Sequence, residues 1–78
     1  MDYDQKKMGQ IIRKLRNEKG LSQDVLSGLA GIGRSHLAMI ETGHKKANVE
    51  TLWRISDALG IPLSQLIRLL EDDMARSE

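Results

Sequence analysis

The sequence has no cysteine and no phenylalanine, a single proline, and only one tryptophan and one tyrosine in 78 residues. The lack of cysteine excludes disulfide staples and thiolate metal sites, so stability must come from packing, supplemented where needed by a partner subunit. Without phenylalanine the core must be aliphatic, drawn from Leu, Ile, Val, Met and Ala. No apolar run approaches the roughly 18 residues of a membrane span, and no signal-peptide hydrophobic region follows Met1; a cytoplasmic location is expected. Strand-like alternation, internal repeats and low-complexity linkers are also missing. What remains is one small all-α domain over residues 1–78, near the size where a single core is marginally sufficient.

Net charge is low too, at +1, but it is unevenly placed. Residues 1–46 carry nine Lys/Arg against five Asp/Glu, whereas residues 47–78 carry three against six. Such a division orients a protein on an anionic surface even when total charge is small.

The basic half holds the most informative stretch, residues 21–43, LSQDVLSGLAGIGRSHLAMIETG. Ser22 is a natural N-cap, and Val25, Leu26 and Leu29 then place one apolar face on about two turns of helix. Ala30-Gly31-Ile32-Gly33 breaks that helix, with Gly31 supplying a positive φ. A second helix starts near Arg34, turns Leu37 and Ile40 inward, and ends at Gly43. Arg34, Ser35, His36, Ala38, Met39 and Thr42 are left on its open side. A helix that spends only two side chains on the core is shaped to present the rest, as in a helix-turn-helix that offers its second helix to the DNA major groove.

The flanking segments predict three more helices. The first runs from about Tyr3 to Lys19, with Met8, Ile11, Ile12 and Leu15 on one stripe, and ends at Gly20. After the polar basic loop Gly43–Ala47, Asn48 caps a helix whose Val49, Leu52, Ile55, Ser56 and Leu59 share a face, closed by Gly60. Pro62 suits the first position of the last helix, which carries Leu63, Leu66, Ile67, Leu69 and Leu70. Its acidic end, Glu71-Asp72-Asp73, is expected to fray as part of a tail over residues 71–78.

These residues resemble the Cro/CI-type (XRE-like) helix-turn-helix regulators, including the small controller proteins of restriction–modification systems. The likeness rests on Gln23 opening the second helix, small Ser27, Gly31 in the turn, Leu37 and Ile40, Glu41-x-Gly43, and Leu52-x-x-Ile55-x-x-Ala58-Leu59-Gly60. It covers residues 8–70 and implies a compact five-helix, lambda-repressor-like domain. It further implies that Gln23 contacts a phosphate, that Arg34, Ser35, Ala38 and Met39 face base edges, and that Thr42 and Lys45 or Lys46 reach the DNA backbone. Arg34 is the strongest candidate for base readout, since Arg pairs bidentately with guanine. Arg16 and Glu41 match a buried ion pair tying the first helix to the third. Departures from the common pattern are Ser27, Gly28 inside the second helix, Gly33 as a cap, and apolar Ala38 and Met39 where polar readers are frequent.

Some positions carry two readings. His36 suits a groove-edge or phosphate contact or a plain surface role; with His44 beyond the helix end, no metal-ligand spacing exists. Met39 suits either the core edge or a thymine methyl. Lys45 and Lys46 suit a phosphate contact or a solvated loop. Trp53 lies off the stripe of its helix, and the last helix holds more apolar residues than one narrow face needs. Trp53, Leu66, Ile67 and Leu70 are therefore expected to form a symmetric homodimer interface through the fourth and fifth helices.

The function expected is sequence-specific binding of a double-stranded, near-palindromic operator by a homodimeric transcriptional regulator, either a stand-alone repressor or a controller-type protein. A helical interaction or antitoxin-like module of the same fold is the alternative. No nucleophile with a matched base, phosphate loop or metal constellation is present, so no enzyme, cofactor, metal or small-molecule ligand is expected.

Overall fold

Side-chain caps set where three of the helices among the described residues begin. In the computed structural model, which describes residues 2–76, the helices are α1 (Gln5–Glu18), α2 (Gln23–Ala30), α3 (Arg34–Thr42), α4 (Val49–Ala58) and α5 (Leu63–Arg76). Ser22 Oγ accepts from the Val25 N–H at 3.1 Å and Asn48 Oδ1 from the Thr51 N–H at 2.8 Å, as their sequence positions predict. At α1 the cap is Asp4, whose carboxylate accepts from the Lys7 N–H at 3.0 Å, so the helix starts two residues after Tyr3. Pro62 stands just ahead of α5 rather than inside it, its carbonyl accepting from the Gln65 and Leu66 N–H groups.

The core is aliphatic. Met8 and Ile12 of α1, Leu26 of α2, Leu37 and Ile40 of α3, Ile55 of α4 with Leu59 at its C-cap, and Leu66 of α5 are almost wholly removed from water. α1 lies against α3 and α5, α2 against α3 and α4, and α4 against α5. Ala47, in the loop expected to be polar, is buried as well. No helix among the described residues is long and apolar enough to cross a membrane.

The structure corrects four expectations about faces and ends. α2 buries Leu26, Ser27 and Ala30, leaving Val25 half-exposed and Leu29 63% exposed. The buried face is turned toward the small residues, which let α2 approach its neighbours. Val49 is exposed because it opens α4 ahead of the turn that packs. Leu66 and Leu70 are 0% and 3% exposed inside their own chain, so neither is available to a dimer interface. The acidic end of α5 is helical through Arg76, and Asp73 pairs with Lys7 of α1 (3.6 Å) and Arg76 (3.3 Å). Of the tail expected to fray, Ser77 and Glu78 lie outside the described residues.

One close approach had no counterpart in the sequence reading. Gly9 faces the C-terminal half of α3, and a Cβ there would collide with the Ile40 carbonyl oxygen and lie 2.7 Å from that of Glu41. Glycine at this position lets α1 and α3 meet backbone to backbone.

Candidate nucleic-acid interface

The turn between α2 and α3 is built by two glycines with different tasks. Gly31 takes φ +71°, and the N–H groups of Gly31 and Ile32 satisfy the α2 carbonyls of Gly28 and Ser27. Gly33 then sits at the N-cap of α3 with no side chain to occupy that end. The first turn of α3 is therefore open, and an open helix N-terminus favours an anion through its free N–H groups and dipole.

A buried polar cluster fixes α3 from behind. Arg16 Nε donates to Glu41 Oε2 at 2.7 Å and Nη2 to Oε1 at 3.0 Å, a bidentate pair. Arg16 Nη1 donates to the Leu21 carbonyl at 2.8 Å, and Gln23 Nε2 donates to Glu41 Oε1 at 3.1 Å. The Arg16–Glu41 pair thus joins α1, the α1–α2 loop, α2 and α3. The hydrogen bond to Glu41 holds the Arg16 guanidinium above its ordinary range against the opposing pull of burial. The pair has the inter-helix geometry that the resemblance implied. Gln23 was expected to contact a phosphate; here it is half-buried, and its side-chain amide donates to Glu41.

With Leu37, Ile40 and Glu41 turned inward, the outer face of α3 carries Arg34, Ser35, Met39 and Thr42, all exposed, with His36 and Ala38 half-buried beside them. The exposure of Met39 favours the surface reading over the core-edge reading. Arg34 Nε lies 3.4 Å from Asp24 Oδ1 on α2, both side chains largely in solvent. Thr42 Oγ1 donates to the Met39 carbonyl at 3.2 Å and lies 2.7 Å from His44 Nδ1.

The segment after α3 is tied to the start of the chain. Gln5 Nε2 donates to the Gly43 carbonyl at 2.7 Å, and at φ +84° a Cβ on Gly43 would fall 2.9 Å from Lys6 Cα. Lys45 and Lys46 are exposed, and Lys46 Nζ sits 5.6 Å from the centre of the Tyr3 ring. Burial, then the adjacent Asp4 carboxylate, push the Tyr3 phenol above its ordinary range. The involvement of Tyr3 was not legible in the sequence, since no spacing rule brings residue 3 beside residue 46.

On the side formed by α4 and α5, Trp53 is 63% exposed. Together with Ile61, Leu63 and Ile67 it lines an open apolar groove. Trp53 and Ile67 thus lie at the surface where a subunit interface was expected, Leu66 and Leu70 beneath it. Ile61 and Leu63 join the same groove, although the spacing that singled out Trp53 did not include them. Among the described residues no group of three or more His, Cys, Asp or Glu side chains could hold a metal ion.

Comparison with known proteins accords with this architecture. The HTH_3 helix-turn-helix family model matches residues 12–66. Control protein C.MunI of a Mycoplasma species is 34% identical over 86% of this chain and 92% of its own length. An uncharacterized HTH-type transcriptional regulator of Sinorhizobium fredii, y4dJ, is 32% identical over 80% of each chain. The crystal structure of the restriction-modification controller protein C.AhdI from Aeromonas hydrophila superposes with a TM-score of 0.78 at 36% identity, covering 81% of this chain and 96% of that one. A turn held by Gly31, a third helix braced from within by Glu41 and bare on its outer face, and a family match over residues 12–66 agree: the chain belongs to the HTH_3 (XRE-like) helix-turn-helix family, whose members are DNA-binding transcriptional regulators.

Proposed function

We propose that this protein regulates transcription as a homodimer bound to a near-palindromic operator, with α3 of each subunit in the major groove. The observation that carries this reading is the division of α3 into two faces. Leu37, Ile40 and Glu41 lock it to the core, while Arg34, Ser35, Met39 and Thr42 stand exposed. Arg34 reads a base edge, with Ser35, His36 and Ala38 close to the groove walls and Met39 suited to a thymine methyl. Thr42, Lys45, Lys46 and the N-terminal turn of α2 at Gln23 hold the phosphates, which position the helix without specifying sequence.

The second subunit joins through the groove of Trp53, Ile61, Leu63 and Ile67. An exposed tryptophan beside three half-buried aliphatics is the sort of surface a symmetric interface covers. Two-fold pairing places two copies of α3 on half-sites about 10 base pairs apart. The likeness to C.MunI over most of both chains supports a controller-type role, exerted through occupancy of promoter DNA. The test is selection from a random duplex pool, then titration of the winner at two salt concentrations. A palindromic winner saturated by two chains per duplex is expected; no enrichment, with only weak and steeply salt-dependent binding, would move the protein to an interaction-module role.

A further inference from the structure

Between Gly20 and Ile40 the only Asp, Glu, Lys or Arg residues are Asp24 and Arg34. The fold brings these two together across the α2–α3 turn, Arg34 Nε to Asp24 Oδ1 at 3.4 Å, with side chains 66% and 71% exposed. An acid at this place is a liability for a protein that meets a polyanion, because it repels the phosphates flanking the groove. Its placement against the proposed base reader gives it a use. We propose that Asp24 is a specificity-determining positioning residue, which restrains Arg34 for guanine readout and denies it to phosphates. This inference rests on the operator-binding reading of α3.

The chemistry follows from the shape of the guanidinium, which offers donors along two edges. A carboxylate on the Nε side occupies one edge and leaves the Nη1/Nη2 edge to meet guanine O6 and N7. A guanine contact on that edge is made with Asp24 still in place. A phosphate that takes the same edge brings a full negative charge beside the Asp24 carboxylate, whereas guanine O6 and N7 bring only partial charges. Asp24 therefore weakens the sequence-independent mode more than the specific one. Without it, a long and freely rotating Arg34 reaches whichever phosphate is nearest, whatever the base beneath.

The test compares the wild type with Asp24→Asn, Arg34→Ala and the double variant on three duplexes: the selected operator, the operator with the guanine under Arg34 replaced, and random DNA of equal length. Asp24→Asn is expected to tighten binding to random DNA about 3- to 10-fold and to steepen its salt slope by about one unit, the count for one more phosphate neutralised. Discrimination at the Arg34 base is expected to fall several-fold, Asp24→Glu to restore part of it, and the Asp24→Asn gain on random DNA to shrink in the Arg34→Ala background to what relieved phosphate repulsion alone supplies. If Asp24 only stabilised the N-terminus of α2, its loss would lower the melting temperature and weaken all three duplexes alike. Unchanged discrimination in Asp24→Asn, or a gain on random DNA undiminished in the Arg34→Ala background, overturns the proposal while leaving operator recognition intact. A wild type with no preference among the duplexes overturns operator recognition and this proposal with it.

Discussion

The same substitution, glycine to alanine, should have opposite effects at two helical positions in this protein. At Gly28, within α2, a Cβ would meet nothing within 4 Å, so only the backbone matters. Alanine is favoured over glycine in a helix interior by roughly 1 kcal/mol, and Gly28→Ala should stabilise by about that amount. At Gly9 the new methyl would press on main-chain atoms of α3, the Glu41 carbonyl oxygen at 2.7 Å and its carbon at 2.9 Å. Those atoms belong to a packed helix and cannot rotate away, so α1 and α3 must separate and loosen Met8, Ile12 and Ile40 together. Overpacking toward the upper end of about 1–3 kcal/mol, less the roughly 1 kcal/mol propensity gain, leaves a net loss of about 2 kcal/mol. For a domain of this size each kcal/mol moves the melting temperature by about 4–8 °C. Thermal melts at one fixed protein concentration should therefore place Gly28→Ala about 4–8 °C above the wild type and Gly9→Ala about 8–16 °C below it. A Gly9→Ala protein as stable as the wild type would refute the backbone contact between α1 and α3; a destabilised Gly28→Ala would refute the open surface on α2.

Glu41→Ala strands the Arg16 guanidinium in the interior and should cost about 3–5 kcal/mol in urea unfolding, a large share of a typical domain's stability; a loss under about 1 kcal/mol would show the pair to be dispensable. Lys45→Ala should weaken binding to every duplex alike and lower the salt slope by about one unit, whereas an unaltered slope would remove Lys45 from the phosphates. Trp53→Ser should shift sedimentation toward monomer without lowering helix content, since the side chain is mostly in solvent; an unchanged profile would take Trp53 out of the subunit interface.

Local chemistry was well legible in the sequence. Ser22, Asn48 and Gly31 act through atoms within a few residues of themselves, and all three behave as expected. The Leu37/Ile40 face was equally plain, because α3 has few other apolar choices. Legibility failed where a residue's fate depends on a distant element. The stripe of Val25, Leu26 and Leu29 looked sufficient, yet contact with α3 and α4 favoured small Ser27 and Ala30. Leu66 and Leu70 were assigned outward because the apolar face of α5 is wide, and only the position of α1 and α4 shows which part of it is covered. Gly9 carried a signal that could have been used, an unforced glycine inside a strongly amphipathic helix. The pairings of Asp24 with Arg34 and of Lys46 with Tyr3 had none, since each joins residues on separate elements at no characteristic spacing.

The central claim is that α3 reads bases in the major groove through Arg34, twice per operator. Methylation interference tests it most directly, because a methyl on guanine N7 projects into the major groove where the bidentate contact forms. Methylation should block wild-type binding at guanines in two symmetric half-sites about 10 base pairs apart, and Arg34→Ala should lose sensitivity at one guanine in each. Interference confined to the minor-groove face of adenines, or none that responds to Arg34→Ala, would contradict it.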